Sequence, residues 1–252
     1  MSELCIGAGG LSMKAQRGVA LLVVLWVLAL LSVLLASLAG WVRLESRQAL
    51  WQRQHTEALM AAQAGLSLAV AALLDSNPQR VWLADGQPHL ANFAGNALSL
   101  RIYSERGKLD LNTAPVTSMK RLFAFLGASG AQLDAIGHAL DQRRGNSQAP
   151  LRLLEELREL PGMDQALYVQ ALPDLTLWSG LDAPDPAFAS ARLKRALGLA
   201  NAVPTASEQG PVLNVDSQAQ LPDGFVTTLR VTLLLNPSKE GTRPYRVLRW
   251  QE

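Results

Sequence analysis

The chain has 252 residues, of which 49% are hydrophobic and 17% charged, and its formal net charge is +2. So weak a positive charge argues against a nucleic-acid-binding protein held by electrostatics alone. The single cysteine, Cys5, excludes an intrachain disulfide and a cysteine-based metal site.

The first strong signal is an uncharged apolar run of 24 residues, 19–42, between Arg17 and Arg43. At about 1.5 Å per residue, a helix over this run is roughly 36 Å long, enough to cross a hydrocarbon core of about 30 Å. Lys14 and Arg17 precede the run, and the positive-inside rule keeps that end in the cytoplasm. We therefore predict a single-pass bacterial inner-membrane protein with the bulk of its chain in the periplasm.

Three interpretations of this N-terminus are open. In the first, it is a secretory signal cleaved after Ala39, although the hydrophobic region of such signals has only about 7–15 residues. In the second, it is an uncleaved anchor. In the third, it is a leader of the prepilin type, in which a short basic stretch ends at Gly18 and the mature chain begins at Val19. Translation from Met13 would shorten that leader to six residues.

The helix does not stop at the far side of the membrane, and this favours the third interpretation. Residues 43–76 keep an apolar stripe on one face and charged residues on the others, until Pro78 ends the pattern. A helix of roughly 55 residues is typical of a subunit that packs in a filament or under a sheet. Small residues in the apolar run would permit close approach of a neighbouring helix. They are Ala29, Ala36, Ala39 and Gly40.

Beyond this helix, two regions have the alternation of β-strands, residues 77–112 and residues 201–252. The predicted strands are 98–103, 108–112, 212–215, 225–235 and 245–250. We expect the first two to form a hairpin and residues 236–241 to join the last two as another. Together these strands predict one antiparallel sheet that covers the apolar face of the long helix.

Between the strands, residues 113–200 have helical periodicity and predict an inserted α-domain. Four apolar faces recur in it. Their residues are Met119, Leu122, Phe123 and Leu126; Leu133, Ile136 and Leu140; Leu151, Leu154, Leu157 and Leu160; and Ala166, Val169 and Leu172. A further helix over 187–199 carries Arg192, Lys194 and Arg195 on a side that we predict to be solvated.

Residues 157–164 have the sequence of a helix-hairpin-helix turn, a motif that grips DNA phosphates through backbone N–H groups. Asp164 takes the place of the second glycine, and a carboxylate there would repel a phosphate. Residues 107–180 contain seven Lys and Arg but eight Asp and Glu, whereas DNA binding requires cationic neutralisation of phosphates. We predict a structural packing unit, with a membrane-anchored DNA-binding protein as the alternative.

No enzyme is expected, and no catalytic residue is assigned. His55, His89 and His138 are isolated, and the sequence has no H-E-x-x-H zinc motif. It also has neither a G-x-S-x-G nucleophile motif nor a phosphate-binding loop.

Four segments together resemble the K-type minor pseudopilins of type II secretion systems (general secretion pathway protein K). They are residues 16–28 (QRGVALLVVLWVL), 107–115 (GKLDLNTAP), 153–163 (LLEELRELPGM) and 172–180 (LPDLTLWSG). Order and spacing agree over about residues 14–180, and the last 70 residues agree weakly. The resemblance implies an α+β fold, with a pilin-like helix on an antiparallel sheet and an inserted α-domain of the helix-hairpin-helix kind.

The resemblance also implies a function in assembly. A prepilin peptidase would remove residues 1–18 by cleaving between Gly18 and Val19. The mature subunit would then join minor pseudopilins of the I and J types on the inner-membrane secretion platform and cap a short pseudopilus. A minor pilin of a type IV pilus is the nearest alternative, and an exported binding protein with an ordinary signal is another.

One departure from the usual pilin pattern is informative. Most pilin-like subunits carry glutamate at the fifth mature position, which here is Val23. A carboxylate in hydrocarbon is costly unless it is paired, and in these families it pairs with the N-terminus of a neighbour assembled earlier. Val23 therefore fits a subunit that enters first, at the tip.

K-type relatives can bind calcium through their exported domain. Calcium takes six to eight oxygen ligands, and this chain has no dense acidic loop. Residues 140–144 include two arginines where relatives tend to have acids. We expect no cofactor, and calcium stays a possibility without assigned ligands.

Overall fold

The computed structural model describes residues 16–75, 77, 80–145, 149–236 and 244–252; the side chains of residues 16–20, 39, 40 and 42 lie outside that description. Contacts divide the chain into two compact units, Met1–Gln54 and His55–Glu252. The first holds most of a long helix, and the second holds the end of that helix, a sheet and a helical insertion.

Helix α1 extends from Gln16 to Leu73, over 58 residues. The prediction of one uninterrupted helix is confirmed, and Gly18 lies within its first turn. At the other end the amide of Leu74 still bonds to the carbonyl of Val70, at 3.1 Å. Asp75 then accepts a hydrogen bond from the amide of Asn77 at 2.8 Å, a local turn that ends the helix.

The first unit presents apolar side chains in every direction. All side chains from residue 21 to residue 38 are exposed, and among the described residues one helix is long and apolar enough to cross a membrane. Ser32 and Ser37 donate their hydroxyls to the carbonyls of Leu28 and Leu34, both at 2.8 Å. Both serine hydroxyls of the run are thus satisfied within the helix, as a hydrocarbon environment requires.

The second unit is built on a five-stranded antiparallel sheet in the order β1-β2-β5-β6-β7. Its strands are β1 Asp85–Phe93, β2 Asn96–Ser104, β5 Val212–Gln220, β6 Val226–Leu235 and β7 Tyr245–Gln251. Four of these, β2 and β5–β7, were predicted with ends at most five residues from those observed, and the prediction of an antiparallel sheet is confirmed. The loop of the predicted hairpin at 236–241 lies largely outside the described residues.

The predicted hairpin between residues 98–103 and 108–112 is wrong. Strand β2 pairs with β1 and β5, whereas β3, Leu109–Asp110, pairs in parallel with β4, Leu175–Thr176. Ser104 ends β2 because its hydroxyl accepts a hydrogen bond from the amide of Arg106 and caps a 3-10 turn. That turn leads the chain away from the sheet, so β3 belongs to the helical insertion rather than to the sheet strands of residues 77–112.

Residues 55–73 of α1 pack on one face of the sheet. Their alanines and leucines share a buried cluster with residues of β2, β5 and β6, including Leu98, Val215 and Val231. The helix comes closest at Gly65, where an added Cβ would lie 2.4 Å from Ser217 Oγ and 2.8 Å from Leu100 Cδ2. The Ser217 hydroxyl donates to the carbonyl of Ala62 at 2.8 Å, so helix and sheet are also joined by a buried hydrogen bond.

The insertion forms its own core between Leu109 and Leu197, around Phe123, Ile136 and Leu157. Its helices are α2 Val116–Phe125, α3 Gly130–Gly145, α4 Gln165–Ala171 and α5 Ala191–Leu197. The segment that carries the third apolar face predicted in the insertion forms a 3-10 turn, Leu154–Glu159, instead of an α-helix.

For the fourth apolar face predicted in the insertion, the helical phase is wrong. Ala166 and Val169 are exposed, whereas Leu167, Tyr168 and Ala171 are buried. Asp164 caps α4 and thereby fixes where the helix begins. In a helix of only seven residues, that starting point decides which side chains face the core.

The insertion leaves and rejoins the sheet at neighbouring positions. Ser104, the last residue of β2, is paired with Leu213, the second residue of β5. Residues 105–212 therefore occupy the place of a hairpin loop between two adjacent strands. Gln209 strengthens this junction, because its side chain accepts from the amide of Ala84 and its carbonyl accepts from Ser104 Oγ.

Candidate assembly interface

The predicted processing site lies at the start of α1. Gly18 and Val19 are in its first turns, while residues 1–15, including Met13 and Cys5, lie outside the described residues. Cleavage between Gly18 and Val19 stays a prediction.

The predicted helix-packing residues lie in the exposed part of α1. Val23 is 56% exposed, and Ala29 and Ala36 are exposed as well. The backbone of Ala39 and Gly40 is helical, but their side chains are outside the description. An apolar surface of this extent is normal in lipid or against other helices, and it is abnormal in water.

A second, uncharged surface lies on the solvent side of α1 where the helix covers the sheet. Residues 58–74 contain no charged residue, although part of this helix faces outward. Met60 is 63% exposed and Leu68 is 41% exposed. The polar residues on this outward side are Gln63 and Ser67, and the Ser67 hydroxyl bonds to the carbonyl of Gln63. We call these outward residues, from Met60 to Leu68, the outer stripe of α1.

Two of the four segments that carry the family resemblance, 107–115 and 172–180, meet in the insertion at a junction centred on Asp110. Although only 1% exposed, its carboxylate accepts hydrogen bonds from the amides of Asn112 and Gly180, both at 2.9 Å, and from Ser179 Oγ at 3.2 Å. The amide of Leu111 donates to the carbonyl of Thr176, extending the short β3-β4 pair. The segments 107–115 and 172–180 are therefore in direct contact.

Asn112 ties this junction to a third part of the insertion. Its side chain accepts from the amide of Leu151 at 2.9 Å and donates to the carbonyl of Leu151 at 3.0 Å. Arg144 donates to the carbonyls of Leu111 and Ala114, at 2.6 and 2.7 Å. Partial burial lowers the pKa of Arg144 from its ordinary value. Segments 107–115 and 172–180 thus help to hold the insertion together, and this role accounts for the buried Asp110 and for Asn112.

The structural role of Arg192 was missed by the sequence analysis. Asp174, only 2% exposed, accepts from Arg192 Nε and from Ser190 Oγ, both at 2.7 Å. The prediction that Arg192 lies on a solvated face is therefore wrong. A buried carboxylate requires a partner, but no local pattern indicates that residue 192 would reach residue 174.

The helix-hairpin-helix turn is bound to α3 rather than open to a phosphate. Gly162 has φ +87°, and an added Cβ would lie 3.0 Å from the carbonyl oxygen of Gln132. The side-chain amide of Gln132 donates to the Gly162 carbonyl and to the Asp164 carboxylate, at 3.2 and 3.0 Å. Asp164 also accepts from the amide of Leu167 at 2.8 Å.

The carboxylate of Asp164 already occupies the position in this turn where an anion would bind. The bond from the Leu167 amide lowers the pKa of Asp164, so its carboxylate is charged at neutral pH and occupies the N-terminus of α4. Glu156 beside the turn has a lowered pKa too, because the amides of Arg152 and Leu153 donate to it and Arg143 pairs with it. These negative charges would repel a nucleic-acid phosphate, and this disfavours the DNA-binding alternative.

The three histidines lie in different surroundings. His55 makes an edge contact with the Phe225 ring, His89 stacks on Trp82 at 4.0 Å, and His138 bonds to Gln142. In the part of the chain that the structure describes, no three His, Cys, Asp or Glu side chains come together as metal ligands. Within residues 140–144, Arg143 and Arg144 are both engaged in hydrogen bonds.

Comparison with solved structures identifies the fold. A chain of the crystal structure of the GspK-GspI-GspJ complex, from the type 2 secretion system of enterotoxigenic Escherichia coli, matches with a TM-score of 0.56. The match has 14% sequence identity and covers 79% of this chain and 97% of that one. No protein-family model and no curated protein matches the sequence. This chain has a GspK-like pseudopilin fold.

Proposed function

We propose that this protein is a minor pseudopilin of a type II protein secretion system, and that it caps the pseudopilus and helps to start its assembly. The observation that carries the proposal is the fold, in which a single helix is apolar and exposed in its first part and covered by a sheet in its last. The similar chain was solved in a complex of GspK, GspI and GspJ. We therefore assign I-type and J-type minor pseudopilins as partners.

Before assembly, the precursor is a single-pass protein of the inner membrane. Residues 19–42 span the bilayer, the N-terminus lies in the cytoplasm, and residues 55–252 fold in the periplasm. A prepilin peptidase then cleaves between Gly18 and Val19. The mature helix remains in lipid until neighbouring helices on the secretion platform offer it protein surface, and the small residues Ala29 and Ala36 allow them to approach closely.

The tip position is supported by Val23 and by the insertion. Val23 presents no carboxylate for the N-terminus of an earlier neighbour, so it needs no subunit in front of it. Residues 105–212 are attached to the sheet as a bulky side domain. Such a domain is accommodated most easily at the end of a fibre, where no subunit packs above it.

The mechanism is one of assembly, without a chemical step. In lipid, apolar surface gives no hydrophobic driving force for helix association, so packing and geometry decide which helix binds. In the periplasm the uncharged outer stripe of α1 favours an equally uncharged helix, because an unpaired charge facing it would lose hydration without a partner.

The test is the mass of the N-terminal peptide of the mature protein, isolated from membranes with and without an active prepilin peptidase. We expect a mature chain that starts at Val19 only when the peptidase is present. A Gly18→Leu precursor serves as the control, and we expect it to remain uncleaved. Co-purification with the I-type and J-type subunits from the same membranes then tests assembly.

Two results would contradict the proposal. A mature N-terminus at Gly40 would mean that the apolar run is a secretory signal and that no membrane helix remains. A correctly processed chain that never co-purifies with the other minor pseudopilins would remove the role in assembly.

A further inference from the structure

The two edges of the five-stranded sheet are protected to different degrees. A sheet edge presents unpaired backbone N–H and C=O groups that attract another strand, and proteins commonly block it with charges, proline or a bulge. Strand β7 forms one edge, and it carries Arg246 and Arg249. Arg249 is paired with Glu155 of the insertion. This edge is therefore guarded by charge.

Strand β1 forms the other edge, and only its first half is guarded. The register with β2 is irregular between Asp85 and Pro88, and Pro88 has no N–H to donate. Gly86 in this half has φ +79° and lies against the ring of Tyr103, where an added Cβ would come within 2.5 Å. A regular partner strand cannot continue along this irregular half.

The second half of β1, residues 89–93, has none of these protections. It contains neither proline nor an acidic, lysine or arginine residue, and its register with β2 is continuous through Phe93. Leu90 is 81% exposed and Phe93 is 45% exposed. We call residues 89–93 the open edge.

The chemistry of the open edge specifies what can bind there. Along an edge strand, alternate residues direct both N–H and C=O outward, so five residues offer two or three such pairs. Only an extended backbone can pair with these N–H and C=O groups in register. Leu90 pairs with Ser99 of β2 while Ala91 pairs with Leu98 of the helix-covered face. Leu90 therefore lies on the uncovered face, where an apolar side chain of the added strand would contact it.

We propose that the open edge accepts an extended, uncharged segment of a neighbouring minor pseudopilin, which becomes a sixth strand beside β1. This inference rests on the proposed function, which supplies the neighbour. It assigns the contact to a different protein, because a subunit that caps a fibre has no second copy beside it. The contact adds a backbone-mediated attachment to the helix packing made by α1.

The experiment uses the full-length processed chain in detergent, alone and in complex with its I-type and J-type partners. Hydrogen exchange of the amides of residues 89–93 is compared in the two samples. We expect exchange in this segment to slow at least tenfold in the complex, while residues 245–251 of β7 stay unchanged. The variant Leu90→Lys introduces a charge beside the added strand, and we expect it to weaken partner binding at least tenfold.

Val203→Lys is the matched control, because Val203 is 83% exposed and lies outside every strand. We expect it to bind as the wild type does. Since Leu90 is largely exposed, Leu90→Lys should keep the thermal midpoint of the wild type, which a melt of each variant checks.

The outcomes separate this inference from the proposed function. A complex that forms without slower exchange at residues 89–93 would overturn strand addition and leave the pseudopilin assignment intact. Wild-type binding by Leu90→Lys would do the same. Dimerisation of the chain alone through this edge would overturn the choice of partner. If the wild-type chain forms no complex, the proposed function fails and the inference fails with it.

Discussion

Gly65 sets the distance between α1 and the sheet. Its missing side chain lets the helix approach until the Ser217 hydroxyl and Leu100 fill the space. That hydroxyl cannot simply move aside, since it is bonded to the Ala62 carbonyl.

We therefore expect Gly65→Ala to destabilise the second unit, although alanine favours a helix by about 1 kcal/mol over glycine. Overpacking at such a site costs roughly 1–3 kcal/mol, and displacing the Ser217 hydroxyl costs about 1 kcal/mol more. The net loss of unfolding free energy should be about 1–3 kcal/mol, measured by urea denaturation. Gly65→Ala with Ser217→Gly should recover part of it, and exposed Ser67→Ala should change little.

Arg192 neutralises a carboxylate that the fold buries. We expect Arg192→Met to destabilise the insertion, because the buried carboxylate of Asp174 would lose its cationic partner. Breaking a buried ion pair costs roughly 3–5 kcal/mol, and the partial exposure of Arg192 places the loss toward the low end. Arg195→Met on the same helix is the control, and its effect on the urea midpoint should be small. Equal effects of the two variants would contradict this role for Arg192.

At the scale of elements, two carboxylates each hold the start of an element in the insertion: Glu156 that of the 3-10 turn Leu154–Glu159, and Asp164 that of α4. The pKa of Glu156 and that of Asp164 are lowered from their ordinary values of 4.5 and 3.8, chiefly by backbone N–H groups that donate to them. Such groups add stability that is fully present above their unfolded-state pKa values and is lost as the pH falls through the lower, folded-state values.

We therefore expect the insertion to lose stability on acidification from about pH 6 to about pH 3, and the double variant Glu156→Gln, Asp164→Asn to lose less over that interval. At neutral pH the double variant should be the less stable of the two proteins. Urea midpoints across the range provide the measurement. Parallel pH profiles for the two proteins would show that these carboxylates do not contribute.

The elements also show how far the sequence determines this fold. Helix α1 and strands β2 and β5–β7 were predictable, because periodicity over many residues reports which face is buried. Strand β1 was not, since Gly86 and Pro88 interrupt its pattern. The β3-β4 pair joins residues 66 positions apart, and Arg192 reaches Asp174 through folding alone. In both cases the decisive contact is distant in sequence, so no local pattern records it.

At the scale of the whole molecule, the insertion should be removable. Because Ser104 is paired with Leu213, replacing residues 105–212 by Asn-Gly would create an ordinary two-residue hairpin between β2 and β5. We expect the shortened protein to keep its five-stranded sheet. It would lose the two hydrogen bonds made by Gln209, the bond from the Leu235 amide to the Pro211 carbonyl and the ion pair of Arg249 with Glu155. Each of these hydrogen bonds contributes about 0.5–1.5 kcal/mol.

Hydrogen exchange in β2 and β5 tests this expectation. Slow exchange in both strands would show that the sheet folds without the insertion. Rapid exchange in both, together with loss of cooperative unfolding, would show that the sheet depends on the insertion for its stability. The parent protein in the same detergent is the reference.

The same pairing has a mechanical consequence. A thrust that enters through residues 55–73 of α1 passes into the sheet across the buried cluster they share, and from strand to strand through backbone bonds. Residues 105–212 branch from this load path between Ser104 and Leu213, and the ion pair of Arg249 with Glu155 joins them to the sheet at a second point. The branch can therefore be enlarged or reshaped without interrupting the path from α1 through the sheet.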